Sequence, residues 1–370
     1  MIHCRTVAGR GRRIFGRALA LTILTGQVVG AGAVARERTP GDRVPAEQPF
    51  AADSIWNTPI GRGAVYQAAD ADESRMLHTD HVGGPGGSYP WIAADAIGLY
   101  RARANDPVAR WHYRVRPGSV PWPGGPPQSN GAVGLPTPAD VTFLGGSDQH
   151  AILIDPPGRY AYEVWHGASL GQRGYRADYL VRTDLRGSGI ASGEGRSEGI
   201  RAFGGSLVGG MIRCDELARG EIPHAVAVLL STTQLRKGPT MADQKVWPAT
   251  HSDGGGKNDY RGLVPMGALL ALPPSVDVET LPLTREGRAL ARAYQRFGGY
   301  IVDATHKTMS LAVLPQGCDK QMIRNLFADR RTIRDRLVRV LNNGPKHPGG
   351  PGERIAPPPP PLKPEGPGGG

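Results

Sequence analysis

An acid, an imidazole and a large aromatic ring set side by side can hold a sugar and move a proton on it. Residues 140–166, DVTFLGGSDQHAILIDPPGRYAYEVWH, carry all three within the length of one hairpin. The stretch reads as an edge segment, a tight loop, and two strands joined by Pro156-Pro157-Gly158-Arg159. A hairpin loop of two or four residues sets Ile152 opposite Glu163 and His150 opposite Trp165. Alternation then places His150, Ile154, Ala161, Glu163 and Trp165 on one face. A loop of three or five residues shifts the register by one and separates them. Two readings of that face compete. A glutamate is rarely buried without a partner, so in the first, Glu163 and His150 pair with each other or with an arginine inside a half-buried sheet. In the second, the face lines a cleft where Trp165 stacks on a sugar ring and Glu163 or His150 handles a proton.

Distant segments add candidates for both kinds of sugar chemistry. Hydrolysis needs two carboxyl groups, one kept protonated by an apolar setting and one ionised; Glu163 and Asp303 are the pair expected here, with Asp148 in reserve. Elimination from a uronate needs a cation for the sugar carboxylate and a base near the C5 proton, roles that Arg213 with His150 or His224 would fill. Trp165, Trp111, Trp247, Arg213 and His251 are the expected substrate contacts, because flat rings match the apolar face of a pyranose. The bland alternatives are satellite cores for the tryptophans and a fixed partner, Glu216 or Asp215, for His224. Residues 167–171, GASLG, fit the G-x-S-x-G pattern, but no amphipathic helix follows, which sets a serine-hydrolase elbow aside. His78 and His81 lack a third metal ligand at a telling spacing. Asp253, Asn258 and Asp259 resemble part of a calcium loop without its bidentate glutamate, so no metal or cofactor is expected, calcium being the one ion that spacing leaves open.

The elements that must position these residues are mostly short strands. With 53 glycines and 34 prolines, the chain is rich in turns and poor in long helices. An early strand is expected at residues 54–57. The segment 108–116, VARWHYRVR, alternates as a strand, with Trp111 and Tyr113 on one face and His112 on the other. Interior strands are expected within 221–231 and 262–273, and two more at 300–303 and 309–314, with His306 in their turn. Helical spacing marks 72–81, 212–218 and 283–297, the last stopped by Gly298-Gly299, and a long basic helix is expected over 319–342.

Residues 1–35 read as a signal peptide. Five arginines precede an apolar run from 18 to 29, cleavage motifs end at 33 and 35, and Arg12-Arg13-Ile14-Phe15 matches a twin-arginine signal. The run is too short and polar to be a comfortable anchor, and no later stretch could span a bilayer. Removing the segment takes five positive charges from the formal +11 and leaves +6. That excess leans toward anionic polymers such as uronates, while nothing in the chain resembles a nucleic-acid module. Cys4 leaves with the signal. Cys214 and Cys318 then form either one long-range disulfide or, if the chain folds before export, two buried thiols. Residues 36–48 read as a flexible leader and 344–370 as a Pro/Gly-rich disordered tail.

Several stretches occurring together, SIWNTPI at 54–60, SDQHAILIDP at 147–156, LVGGMIRCDELARGEIPHAVAV at 207–228, KVWPATH at 245–251, LVPMGALLAL at 263–272 and RFGGYIVDAT at 296–305, resemble a group of exported bacterial proteins. The resemblance covers roughly residues 49–315 and implies a shared fold, an antiparallel β-sandwich of the lectin/glucanase (jelly-roll or concanavalin-like) or polysaccharide-lyase kind. The expected molecule is mainly β: one sandwich domain over 49–315 with long Gly/Pro-rich loops, then a helix over 316–343. Its expected function is cleavage of a polysaccharide, outside the cytoplasm, by hydrolysis or β-elimination. The rival is a non-catalytic glycan-binding or envelope protein.

Overall fold

The computed structural model describes residues 43–79, 97–116, 118–119, 131–144, 146–305, 309–314 and 316–364. The signal segment, most of the leader, His81, Trp91, Trp122, the Gly/Pro clusters at 83–87 and 121–127, and His306 lie outside the described residues. The described residues, from Arg43 onward, belong to one compact unit.

The unit is sheet-rich. Its first eight strands are β1 (Gly98–Arg101), β2 (Val108–Tyr113), β3 (Gly131–Pro136), β4 (Ala151–Ile154), β5 (Tyr160–Trp165), β6 (Ala168–Ser169), β7 (Tyr175–Ala177) and β8 (Tyr179–Asp184). They form two four-stranded sheets, ordered β1-β4-β5-β8 and β3-β2-β7-β6. A third, five-stranded sheet, ordered β12-β9-β11-β10-β13, comes from β9 (Val226–Ser231), β10 (Leu269–Ala271), β11 (Gly299–Thr305), β12 (Ser310–Leu311) and β13 (Val338–Arg339). The expectation of a purely antiparallel sandwich does not hold. Each sheet contains one parallel pair, β1 with β4, β2 with β7, and β9 with β11. Such pairs join strands distant in sequence, which strand-by-strand alternation does not reveal.

Alternation along β4 and β5 explains why the middle sheet has no solvated face. Ile152, Ile154, Ala161 and Val181 turn into the larger core, while Ala151, Leu153, Val164 and Leu180 turn into the smaller one. The apolar run AILI is thus buried on both sides, as near-continuous apolar strands require. Trp111, stacked on Tyr175 at 4.6 Å, anchors the smaller core between the two four-stranded sheets. The larger core joins the five-stranded sheet to helices α1 (Asp72–His78), α2 (Cys214–Arg219), α5 (Arg285–Arg296) and α6 (Lys320–Arg334), with short α3 (Met241–Gln244) and α4 (Gly256–Asp259) between. Trp56 sits at its centre, edge-on to Phe203 and Tyr300. Gly209 and Gly210 make room for that ring: a Cβ on Gly209 would lie 2.3 Å from Trp56 Cε2.

Other expectations change for physical reasons. Residues 54–57 form a turn instead of a strand, because the Asn57 amide donates to the carbonyls of Pro49, Phe50 and Ala51 and curls the chain around itself. The long C-terminal helix is not present: α6 stops at Arg334, where Leu337, Val338 and Val340 bury themselves as a sheet edge. The Pro/Gly tail is described to residue 364 and lies against the first described segment, with bridges Gly61↔Arg354 and Arg43↔Leu362. Cys214 and Cys318 form a disulfide with Cα atoms 4.9 Å apart, tying the start of α2 to the approach to α6. No helix among the described residues is long and apolar enough to cross a membrane.

Candidate functional site

The β4–β5 hairpin has the register that brings Ile152 opposite Glu163, running from Ile154↔Ala161 to Ala151↔Val164. There the ladder stops. His150 turns away to bridge Leu144 and does not face Trp165. Gln149 and His166 both enter the left-handed region, at φ 47° and 51°. That conformation costs a side-chain-bearing residue about 1–2 kcal/mol and is held only where neighbours impose it. Here the two loops impose it on each other. His166 N–H donates to Asp148 O at 2.8 Å, and Gly167 N–H donates to Gln149 O at 3.1 Å.

This kinked exit gathers an aromatic stack and a dyad. Trp165 stacks on His166 at 3.6 Å and on Tyr179 at 5.2 Å, and its indole N–H donates to Asp148 Oδ1 at 3.2 Å. His166 Nδ1 lies 2.9 Å from Asp178 Oδ2. A carboxylate at Nδ1 holds the proton there and leaves Nε2 as the lone-pair nitrogen of the neutral ring. His251 is arranged alike, with Nδ1 3.0 Å from Arg196 O; burial, then the charge of Arg116, lowers its pKa.

Charge surrounds the stack. Burial lowers the Arg116 pKa, and nearby Asp303, Glu163, Asp253 and Tyr179 counter it. Arg201 is 1% exposed and reaches Asp303 at 3.4 Å, while its Nε and Nη2 have no hydrogen-bond partner among the described residues. A register shift between Ile301 and Asp303 in the β9–β11 pairing aims Asp303 here. Tyr260 donates its hydroxyl to Asp253. Burial raises the Asp253 pKa against the pull of Tyr260 and Arg116. Arg116, Asp148, Trp165, His166, Tyr179, His251, Asp253 and Asp303 are all partly exposed. The cluster can therefore meet a ligand with flat rings, imidazole nitrogens and both signs of charge.

Of the residues expected from sequence, Asp148, His150, Trp165, His251 and Asp303 belong to this neighbourhood. His150 is its buried floor: burial, then Arg201 and His166, push its pKa down to about 3, so the ring is neutral. Glu163 lies beneath, fully buried and spent. Its Oε1 accepts from the Thr183 and Ser206 hydroxyls, and its Oε2 from the amides of Ile200 and Leu207. Burial pushes this carboxyl up while the four donors hold it down. Such a group pins the 198–207 loop to β5 and has no lone pair left for a sugar.

The others lie elsewhere. His224 is buried with Nε2 3.1 Å from Glu216 Oε1 and Nδ1 2.9 Å from Ala225 O, and Glu216 Oε2 accepts from Arg213 N–H to start α2. Arg213 is buried, with Glu216, Asp215, Arg101 and Glu47 as its charged neighbours. Trp111 is wholly inside the smaller core, donating to Thr137 Oγ1 at 3.0 Å, and Trp247 packs on the larger one. Ser169 lies on strand β6, followed by a 3₁₀ turn and β7, so no elbow forms. The described residues contain no group of three or more His, Cys, Asp or Glu side chains arranged to hold a metal ion.

The residues that sequence reasoning missed are His166, Asp178, Tyr179, Arg116, Arg201 and Tyr260. His166 follows Trp165 directly, and "WH" after an alternating strand was the one available signal. Comparison with family models, curated proteins and solved structures finds no match. The chemistry is therefore read from the chain's own geometry.

Proposed function

We propose that the chain is an exported enzyme that cleaves a polysaccharide by β-elimination, with His166 as the base. The observation that carries this is the His166–Asp178 pair set against the Trp165–Tyr179 ring stack. A flat aromatic stack suits the apolar face of a pyranose, and a carboxylate behind Nδ1 fixes the tautomer that leaves the lone pair on Nε2. In this reaction Nε2 takes the C5 proton of a uronate, the C–H electrons become the C4–C5 double bond, the C4–O4 bond breaks with its electrons going to O4, and O4 leaves with a proton from water. The sugar carboxylate gathers charge as the proton departs, and Arg116 is the cation beside the stack. Hydrolysis by Glu163 with Asp303 is the weaker reading because all four contacts of Glu163 are internal donors. The two four-stranded layers around the smaller core are the part we read as a lectin- or lyase-type sandwich.

The test is a panel of neutral and uronic polysaccharides, followed both by ultraviolet absorbance of unsaturated products and by reducing ends. Absorbing products are expected. His166→Ala should lower the rate on the order of 10²–10⁴-fold, and Asp178→Asn less. Reducing ends without absorbance would sink elimination, and binding without turnover across the panel would leave a glycan-binding protein.

A further inference from the structure

The outward face of β2 carries a separate feature. Trp111 and Tyr113 turn into the smaller core, so Arg110, His112 and Arg114 point out and are exposed. Across the ladder His112 faces Ala132 on β3 and Arg176 on β7, and Arg110 faces Gly134. Small residues on one side and long cations on the other leave a groove of about 540 Å³. It is bordered by Arg110, His112, Arg114 and Arg176 over Gly131 and Ala132. Arg110 and Arg114 form no ion pair among the described residues, and Arg176 reaches Asp178 only at 3.8 Å. Asp178 also lines this groove and is the carboxylate bonded to His166. The groove therefore adjoins the dyad.

Side chains on one face of a strand recur every ~6.6–6.8 Å. Arg110 and Arg114 thus stand two intervals apart, about 13 Å, with Arg176 of β7 level with His112 between them, and a row of guanidiniums spread over that length matches a charged polymer better than a single small anion. Arginine suits carboxylates through its planar fork. The rings lining the groove are the inward-turned Tyr113 and the single small imidazole of His112, with no Phe, Trp or outward Tyr, so successive stacked nucleobases have no platform there. We propose that this sheet face binds the carboxylates of an anionic polysaccharide and leads the chain to His166. The inference deepens the elimination reading, on which its direction rests, by assigning the surface that holds the substrate's carboxylates outside the reacting sugar.

The experiment uses full-length His166→Ala protein, so that no turnover intervenes, and measures its binding to polygalacturonate and to the same polymer fully methyl-esterified. Arg110→Gln, Arg114→Gln and Arg176→Gln are then combined on that background, with a thermal melt to verify folding. The parent is expected to bind the acidic polymer more tightly than the ester, and less tightly as salt rises. The triple variant should lose on the order of tenfold in Kd for polygalacturonate, from about two- to threefold per exposed pair, with ester binding unchanged. Equal affinity of parent and triple variant, equal affinity for acid and ester, or equally tight binding of duplex DNA would each overturn the proposal. If the wild type turns nothing over while charge-dependent binding stands, the enzyme reading alone fails. If His166→Ala abolishes turnover while the triple variant binds normally, this inference alone fails.

Discussion

Replacing Glu163 separates a carboxylate that holds the fold from one that does chemistry. The group is 0% exposed and receives four hydrogen bonds. In Glu163→Leu, the single Thr183 hydroxyl proton, shared in the wild type between Glu163 Oε1 and Glu198 O at 2.7 Å, goes wholly to Glu198 O, and the Ser206 hydroxyl can rotate. The amides of Ile200 and Leu207 can only donate, and both are stranded. Each stranded buried donor costs about 1–3 kcal/mol, so the leucine variant should lose roughly 2–6 kcal/mol, much of the 5–15 kcal/mol that typically separates folded from unfolded. Glu163→Gln keeps one oxygen for the two amides and offers its NH₂ to hydroxyls that can accept. It exchanges charged bonds for neutral ones, a loss of roughly 1–2 kcal/mol. Urea unfolding at neutral pH, followed by tryptophan fluorescence, should rank wild type above Gln above Leu. Turnover per folded molecule should survive in Gln. A Gln variant with an unchanged midpoint and no turnover would refute this reasoning and return Glu163 to the catalytic machinery.

Two further outcomes follow from buried groups. His150 titrates at about 3 when folded, against 6.5 when free. The unfolded chain therefore binds the proton first, so the neutral ring's contribution is complete above about pH 6.5 and falls as pH drops toward 3. By pH 5 about 2 kcal/mol is lost; urea midpoints across pH for wild type and His150→Leu should show a shallower acid slope in the variant, and parallel slopes would contradict the assignment. The Cys214–Cys318 bridge closes a loop of 104 residues; Cys214→Ser with Cys318→Ser should lower unfolding stability by roughly 2–4 kcal/mol, and a midpoint insensitive to reductant in the wild type would show that the bond does not form.

What the sequence discloses here is local. The β4–β5 register, the alternation of Trp111 and His112 along β2, and α5 all follow from spacing and turn chemistry that a few neighbouring residues decide. The dyad was hidden because the left-handed turns at Gln149 and His166 break the alternation that led to His150 and Trp165. Arg116, Arg201 and Asp253 come from segments tens of residues apart, and only the packing of loops 186–205 and 245–260 brings them together. Glu163 was located correctly on its strand and face. Its partners, two loop amides and two hydroxyls, carry no periodic signal, so the sequence could not distinguish a satisfied acid from a reactive one.

Arg43 has a consequence for how the molecule is made. Its buried guanidinium donates to Pro360 O as well as to Gln48 O and Pro49 O. The turn around residues 44–49 is thus completed by a carbonyl 317 residues away in the chain. The local acceptors at Gln48 and Pro49 are available early and the Pro360 carbonyl only when the far segment docks, so this part of the body closes through a contact between distant segments and not within one.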